Sequence, residues 1–452
     1  MVTNMKPLLT LAQELDSGST TAVALVEDAI ARAADPAGEG RRVYLKRDDA
    51  AARAAASAAD RLRAARLTPS PLSGLPFSIK DLFDVTGEVT TAASRALADA
   101  KPALADAPAI ARLRRAGAVA IGRTNMTEFA YSGLGLNAPF ATPRNPWDRA
   151  TGRIPGGSSS GAAVSVTDGM AAFAIGTDTG GSVRIPAALC GITGFKPTAR
   201  RVPTAGAFPL SSSLDSIGPL APTVACCALV DAVMRGVEPI VPPPLPLTGL
   251  RFGVPQSYVL DALDKDVSAA FSAALTKLSR AGARIVDVEF DSLTRIPELS
   301  PHGGVLAAEA YAVHRKLLES KGDLYDARVR TRIMRGANLS AADYVDLVAA
   351  RRAMIAEADA VTAPFDAMLL PTVAIVAPPI AALDADEKLY GDTNLLVLRN
   401  TTVGNYLDRC ALSIPCHARG SAPVGLMVMG ETMGDDRLLA VGLAIEAALQ
   451  TA

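Results

Sequence analysis

Two serines, each preceded by a pair of glycines, stand 24 residues apart: Ser158 in Pro155-Gly156-Gly157-Ser158-Ser159-Ser160-Gly161, and Ser182 in Gly176-Thr177-Asp178-Thr179-Gly180-Gly181-Ser182. Glycine permits positive φ and lets backbone N–H groups crowd around a small group. Several such donors ahead of a serine are what an oxyanion hole needs. The candidates are the amides of Thr179, Gly180 and Gly181, with that of Ser182 itself. A serine is a poor nucleophile until a base takes its proton. Histidine is scarce: His302, His314 and His417 are the three in the chain, and none sits in an HExxH or other metal pattern. Their bland readings are a packed or solvated helix residue for His314 and a loop residue for His417. Lys80 is the better base. It ends the short apolar run Leu75-Pro76-Phe77-Ser78-Ile79-Lys80-Asp81, where burial would lower its pKa toward neutrality. The arrangement this suggests is Ser182 as nucleophile, Ser158 as proton relay and Lys80 as base. Against it stand a strand-end lysine that snorkels to solvent and a flexible linker for the Gly-Ser stretches. The linker reading fits poorly, because apolar segments flank both stretches and Thr177, Asp178 and Arg184 punctuate the second. Two rival motifs are absent: no lysine follows Gly161, as a phosphate-binding loop requires, and no serine stands three residues before a lysine.

The elements that must position these residues follow from the apolar pattern. Ala162 to Ile175 is small and apolar with a break at Gly169, which reads as turn, helix, turn, strand, turn and brings the two serines side by side. Helices are expected over 8–15, from a cap at Thr20 or Thr21 through Ala34, and over 48–66 and 107–116, with a strand over 119–122. The polar and aromatic segment Asn125 to Tyr131 lies between that strand and the first Gly-Gly-Ser turn and can line a pocket; Met126, Tyr131 and Gly157 are the candidates for substrate contact. After Ser182 come a short helix closed by Cys190-Gly191, a strand over 192–196, a loop over 211–219 and a helix over 224–233. Five prolines between Pro239 and Pro246 mark a linker or a rigid surface crossover. The second half repeats the pattern: strands at 250–254, 284–290, 367–371 and 422–429, and helices at 267–281, roughly 303–320, 340–360, part of 394–407, and 435–449. Helix, glycine and strand alternate throughout, which argues for an α/β fold.

Composition narrows the function classes. Apolar residues make up 49% of the 452, enough for a large core, yet aromatics are only 4%, so Ala, Val and Leu must fill it. With 45 basic and 46 acidic residues, net −1, there is no concentrated basic field for nucleic acid or an acidic membrane. The five cysteines are odd in number, two are adjacent and none forms a CxxC pair. That usage, with no signal peptide and no apolar run of about 18 residues, implies a reduced, cytoplasmic chain. The low charge suggests a neutral or aryl substrate.

These motifs together resemble the amidase signature family. The matching pieces are Pro76 to Asp81, Pro155 to Gly161 and Gly176 to Ala187, continued by Cys190-Gly191, Gly194-Phe195-Lys196-Pro197 and Asp215-Ser216-Ile217-Gly218-Pro219. Weaker likeness extends to Leu370-Pro371-Thr372 and Pro423-Val424-Gly425-Leu426. The resemblance implies a Ser-cisSer-Lys triad of Ser182, Ser158 and Lys80, with Ser158 following a cis peptide bond. It implies amide hydrolysis, and sometimes ester or carbamate hydrolysis, through an acyl-enzyme with neither metal nor cofactor. It also implies one domain over 1–452: a large twisted mixed β-sheet covered by helices on both faces, with a motif core at 72–220, the proline-rich crossover at 239–246 and a C-terminal α/β portion at 250–452. Ser160 and Ala162 replace the more usual Gly and Ser beside the relay, and Met427 stands where Gln is common. Arg184 reads either as a binder of an anionic substrate or, in better accord with its place in the shared motif, as the structural partner of Asp178. Three functions remain to be separated: a stand-alone amidase on a small or mid-sized amide, as monomer or homodimer; the A subunit of a glutamine-dependent amidotransferase; and a catalytically silent binding protein on the same scaffold. The intact Lys80, Ser158 and Ser182 set argues against the third.

Overall fold

The computed structural model describes residues 5–450. Eleven strands form one sheet: β1 Tyr44–Arg47, β2 Pro76–Lys80, β3 Val119–Thr124, β4 Phe173–Asp178, β5 Thr193–Lys196, β6 Ser216–Ala221, β7 Arg251–Pro255, β8 Arg284–Val288, β9 Ala367–Pro371, β10 Ala411–Pro415 and β11 Gly425–Met429. Their order is β1-β3-β2-β4-β6-β5-β10-β11-β9-β7-β8. The sheet is mixed. β2 runs parallel to both β3 and β4, and β7 runs parallel to β8 and β9, while the other pairs are antiparallel. β2, β4, β6, β9 and β11 are buried along their whole length, as strands covered by helices on both faces must be.

Local chemistry sets the element ends. Thr21 caps the helix Ala22–Ala34 by accepting from the Ala24 amide, and Thr223 caps Val224–Arg235 through the Cys226 amide. Gly236, at φ 82°, closes the latter helix in the left-handed conformation. The proline-rich stretch 239–246 has no regular secondary structure, and the Leu245 amide docks it onto the Ala440 carbonyl of the closing helix Asp435–Gln450. It carries the chain from Val224–Arg235 to β7, near the far edge of the sheet. No helix among the described residues is long and apolar enough to cross a membrane.

Among the departures of the structure from the sequence pattern, three bear on the sheet and the site. The stretch expected as a loop over 211–219 ends in β6, which pairs with both β4 and β5 in mid-sheet. Gly218 and Pro219 disguise it. Glycine is nonetheless required at 218, because a Cβ there would come within 2.0 Å of the Phe195 carbonyl oxygen. β1 is a short strand at the sheet edge that the pattern does not predict. The helix Ala327–Met334 is likewise unforeseen; it is short and rich in arginine, with Val329 and Ile333 its buried residues.

Candidate active site

β2 and β4 lie side by side and parallel, with Ile79 opposite Ile175, so both chains leave the sheet at the same end. In parallel sheets the carboxyl ends of strands are where ligands gather. Lys80 is the last residue of β2 and is fully buried. Its Nζ donates to Ser158 Oγ at 2.7 Å and to Thr177 Oγ1, on β4, at 2.8 Å. Burial lowers its pKa to about 7 against the pull of Asp215 and Asp178, so near neutral pH a large share of Lys80 is an unprotonated amine.

The Gly157–Ser158 peptide bond is cis. The loop that carries it is held by backbone bonds on both sides: Gly157 donates to the Gly133 carbonyl at 2.8 Å, and Thr127 donates to the Ser158 carbonyl at 3.1 Å. The helix Ser160–Thr167 begins directly after it and is buried throughout. The Ser159 amide donates to the Ser182 carbonyl at 3.3 Å, which presses the two Gly-Gly-Ser turns against each other.

Ser182 opens onto a cavity of about 180 Å³, whose wall also includes Thr179 and Gly180. Among the described residues, no protein acceptor takes the amides of Thr179, Gly180, Gly181 or Ser182. Unclaimed N–H groups beside a serine are available to a developing oxyanion. Thr401 Oγ1 pins the turn by donating to the Gly180 carbonyl at 2.7 Å. Gly181 sits at φ 136°, and a Cβ there would lie 2.1 Å from Thr401 Oγ1, so only glycine fits. Thr179 Oγ1 donates to Asp215 Oδ1, whose other oxygen accepts from the Leu210 and Ser211 amides. Burial pushes the Asp215 carboxyl up to about 6.

Below the turn lies a buried ion pair. Arg184 Nη2 and Nε reach the Asp178 carboxylate at 2.9 and 3.0 Å, and both side chains are fully buried. Asp178 also accepts from the Val183 and Arg184 amides and from Asn405 Nδ2. Burial raises its pKa, but Arg184, Lys196 and the hydrogen bond from Asn405 outweigh that and hold it at about 2. Arg184 is therefore a structural partner of Asp178; it does not line the cavity. Its Nη1 reaches the Met427 sulfur at 3.1 Å. Met427 is buried under Arg184 and likewise contributes nothing to the cavity wall.

The three candidates for substrate contact separate. Tyr131 lines the cavity, and its backbone carbonyl accepts from Arg332. Met126 is buried in the core and lies off the cavity wall. Asn125 and Asn137 hydrogen-bond its backbone, which turns the side chain into the apolar layer. Gly157 is off the wall as well: a Cβ there would meet Gly135 backbone atoms at 2.5 Å. No histidine lines the cavity. His314 is buried against Phe129 and Tyr325, and burial lowers its pKa to about 4.

Sequence reasoning missed Thr177 as the second acceptor for Lys80, and the residues Thr401, Thr402 and Asn405 of the helix Glu387–Tyr406. Thr177 was within reach, since it lies in the glycine-rich run two residues before Thr179. Also missed were two arginines of the cavity wall, Arg332 and Arg351. The expectation of a neutral or aryl substrate rested on a net charge averaged over 452 residues, which says nothing about one wall.

A family model described as Amidase matches residues 24–439. The chain belongs to the amidase signature family. Its relatives in that family include the 2-amino-5-chloromuconic acid deaminase of Comamonas testosteroni, 37% identical over 89% of this chain and 88% of that one. The A subunit of the glutamyl-tRNA(Gln) amidotransferase of Chloroflexus aggregans is 36% identical over 96% of this chain and 94% of its own. Among solved structures, a crystal structure of an amidase matches at TM-score 0.87 with 34% identity, covering 98% of this chain and 99% of that one. The peptide amidase of Stenotrophomonas maltophilia matches at TM-score 0.83 with 27% identity, over 98% and 97%. The large mixed sheet with its helices is the fold of these amidase signature structures, and the family assignment makes the chain an amidohydrolase.

Proposed function

We propose that the chain hydrolyses the C–N bond of a small or mid-sized amide through an acyl-enzyme on Ser182. Ser182 attacks the carbonyl and passes its proton to Ser158, whose own proton goes to the neutral Lys80. The amides of Thr179, Gly180, Gly181 and Ser182 hold the oxyanion. Lys80 then returns the proton through Ser158 to the leaving nitrogen, and water attacks the acyl-enzyme by the same relay. The observation that carries this reading is the fully buried Lys80 donating to Ser158, beside a second serine that opens on a cavity. The cavity volume of about 180 Å³ suits a small molecule.

A second reading rests on the 36% identity to the A subunit of a glutamyl-tRNA(Gln) amidotransferase over nearly the whole chain. In that case the same serine would release ammonia from an amide for a partner protein. Turnover by the chain alone separates the two, and hydroxylamine tests the acyl-enzyme they share. The purified chain alone, given a panel of primary amides, should release ammonia and, with hydroxylamine present, divert part of the acyl group to a hydroxamate. Ammonia release that appears only when further proteins are added would favour the amidotransferase. Hydrolysis with no hydroxamate at any hydroxylamine concentration would argue against an acyl-enzyme.

A further inference from the structure

Arginine carries five N–H donors and is always charged in proteins. Several buried or half-buried arginines of this chain meet a carboxylate: Arg149 pairs with Asp168, Arg201 with Asp231 and Arg328 with Glu387. The two on the cavity wall do not. Arg332, on the unforeseen helix Ala327–Met334, donates through Nη1 to the Tyr131 carbonyl at 3.0 Å and to the Tyr390 hydroxyl at 3.3 Å. Arg351, on the helix Ala341–Thr362, donates through Nε to the Tyr406 carbonyl at 2.8 Å and through Nη2 to the Asn405 carbonyl at 3.1 Å. All four acceptors are neutral. Among the described residues, neither guanidinium has a carboxylate within ion-pair distance, and no Asp or Glu lines the cavity. Glu309 and Asp408 pull on Arg351 only at longer range; the Glu309 carboxylate is taken by Ser211, the Ser213 amide and Tyr344.

The donor count leaves Nε and Nη2 of Arg332, and Nη1 of Arg351, without a protein acceptor. None of these atoms is sealed from solvent, so each remains open to a ligand. Neutral acceptors thus fix the two forks in place, and carboxylates act on them only from beyond ion-pair distance, Glu387 on Arg332 and Asp408 and Glu309 on Arg351. Tethering of this kind preorganises a cation for an anionic group. The rest of the wall includes Leu210, Leu214, Val305, Leu306 and Leu398, which suits a short apolar spacer.

We propose that the substrate of this site is an amide that bears a carboxylate elsewhere in the molecule, separated from the reacting carbonyl by a short apolar spacer and bound by Arg332 and Arg351. This rests on Ser182 being the reacting serine of that cavity. The binding test itself needs no turnover, so the two ideas can fail separately. Ser182→Ala protein would be titrated calorimetrically with the monoamides of four-, five- and six-carbon dicarboxylic acids and with 4-carbamoylbenzoic acid, each against its diamide. At least one acid should bind about tenfold or more tightly than its diamide. Adding Arg332→Met or Arg351→Met should weaken that acid about tenfold to a hundredfold, the range for a lost charge-assisted bond, and leave the diamide within about twofold. Arg→Lys at either position should recover part of the preference. Equal or weaker binding of the acid in every pair would overturn the proposal, as would equal losses for acid and diamide in the variants. Should a methionine variant fail to fold, the acid-to-diamide ratio of the Ser182→Ala parent still decides. Failure of the hydrolytic reading shows elsewhere, as an absent hydroxamate.

Discussion

Lys80→Met should lower kcat/KM by about 10²–10⁴-fold, the usual contribution of a positioned general base. The wild-type enzyme should lose activity on acidification with an apparent pKa near 7. The sign follows from the role. Lys80 must be neutral to accept a proton; burial holds its pKa at about 7, so the active form is populated above that value and lost below it. An ordinary lysine, near 10.4, would put the same limb roughly three units higher. The acid limb should vanish from the residual rate of Lys80→Met. Lys80 also burdens the fold. Its depressed pKa means that folding is penalised fully below about pH 7, and less and less as pH rises toward the range of an unfolded lysine. The methionine variant should therefore be catalytically impaired but well folded, and its melting temperature should compare best with wild type at low pH. A variant that is both inactive and unfolded would leave the lysine's role to the stability of its hydrogen bonds to Ser158 and Thr177.

The largest loss of stability is expected at Asp178→Asn, about 3–5 kcal/mol, the range for removing one partner of a buried pair. Arg184 is fully buried and cannot shed its proton, so the variant strands a cation. Arg184→Met should cost less, because Asp178 can take up a proton and keeps its bonds from the Val183 and Arg184 amides and from Asn405. Chemical denaturation of both variants checks the order; a smaller loss for Asp178→Asn than for Arg184→Met would contradict it. Because the Asp178 pKa is held near about 2, the pair's contribution is present above the ordinary aspartate range and is lost as pH falls toward 2. The same substitution should damage activity, since Asp178 is the hub from which the Thr179-Gly180-Gly181-Ser182 turn departs.

How much of this was legible in the sequence depends on whether the information was local. The two Gly-Gly-Ser turns and the apolar run ending at Lys80 announce themselves, because φ > 0 at a close approach demands glycine and a lysine rarely ends so apolar a run. β9 reads directly from Ala367–Pro371 as five consecutive buried residues. β6 does not, since Gly218 and Pro219 carry turn chemistry that the neighbouring strands override. The helix Ala327–Met334 hides because four of its eight residues, including three arginines, do not belong to an apolar stripe. One of those arginines, Arg332, reaches the cavity wall, and no spacing could reveal that, for its partners lie 201 residues earlier at Tyr131 and 58 later at Tyr390. Met126 failed the other way. Its place in a polar and aromatic segment suggested a pocket, whereas the asparagines at 125 and 137 hold its backbone and leave the side chain in the core.

The central claim is that Ser182 is a nucleophile driven by Lys80. Intact mass after exposure to a fluorophosphonate tests it most directly, comparing wild type with Ser182→Ala and Lys80→Ala. A single adduct on wild type, absent from Ser182→Ala and formed much more slowly in Lys80→Ala, is the predicted result. An adduct that persists at full rate without Ser182 would contradict the account and place the nucleophile elsewhere.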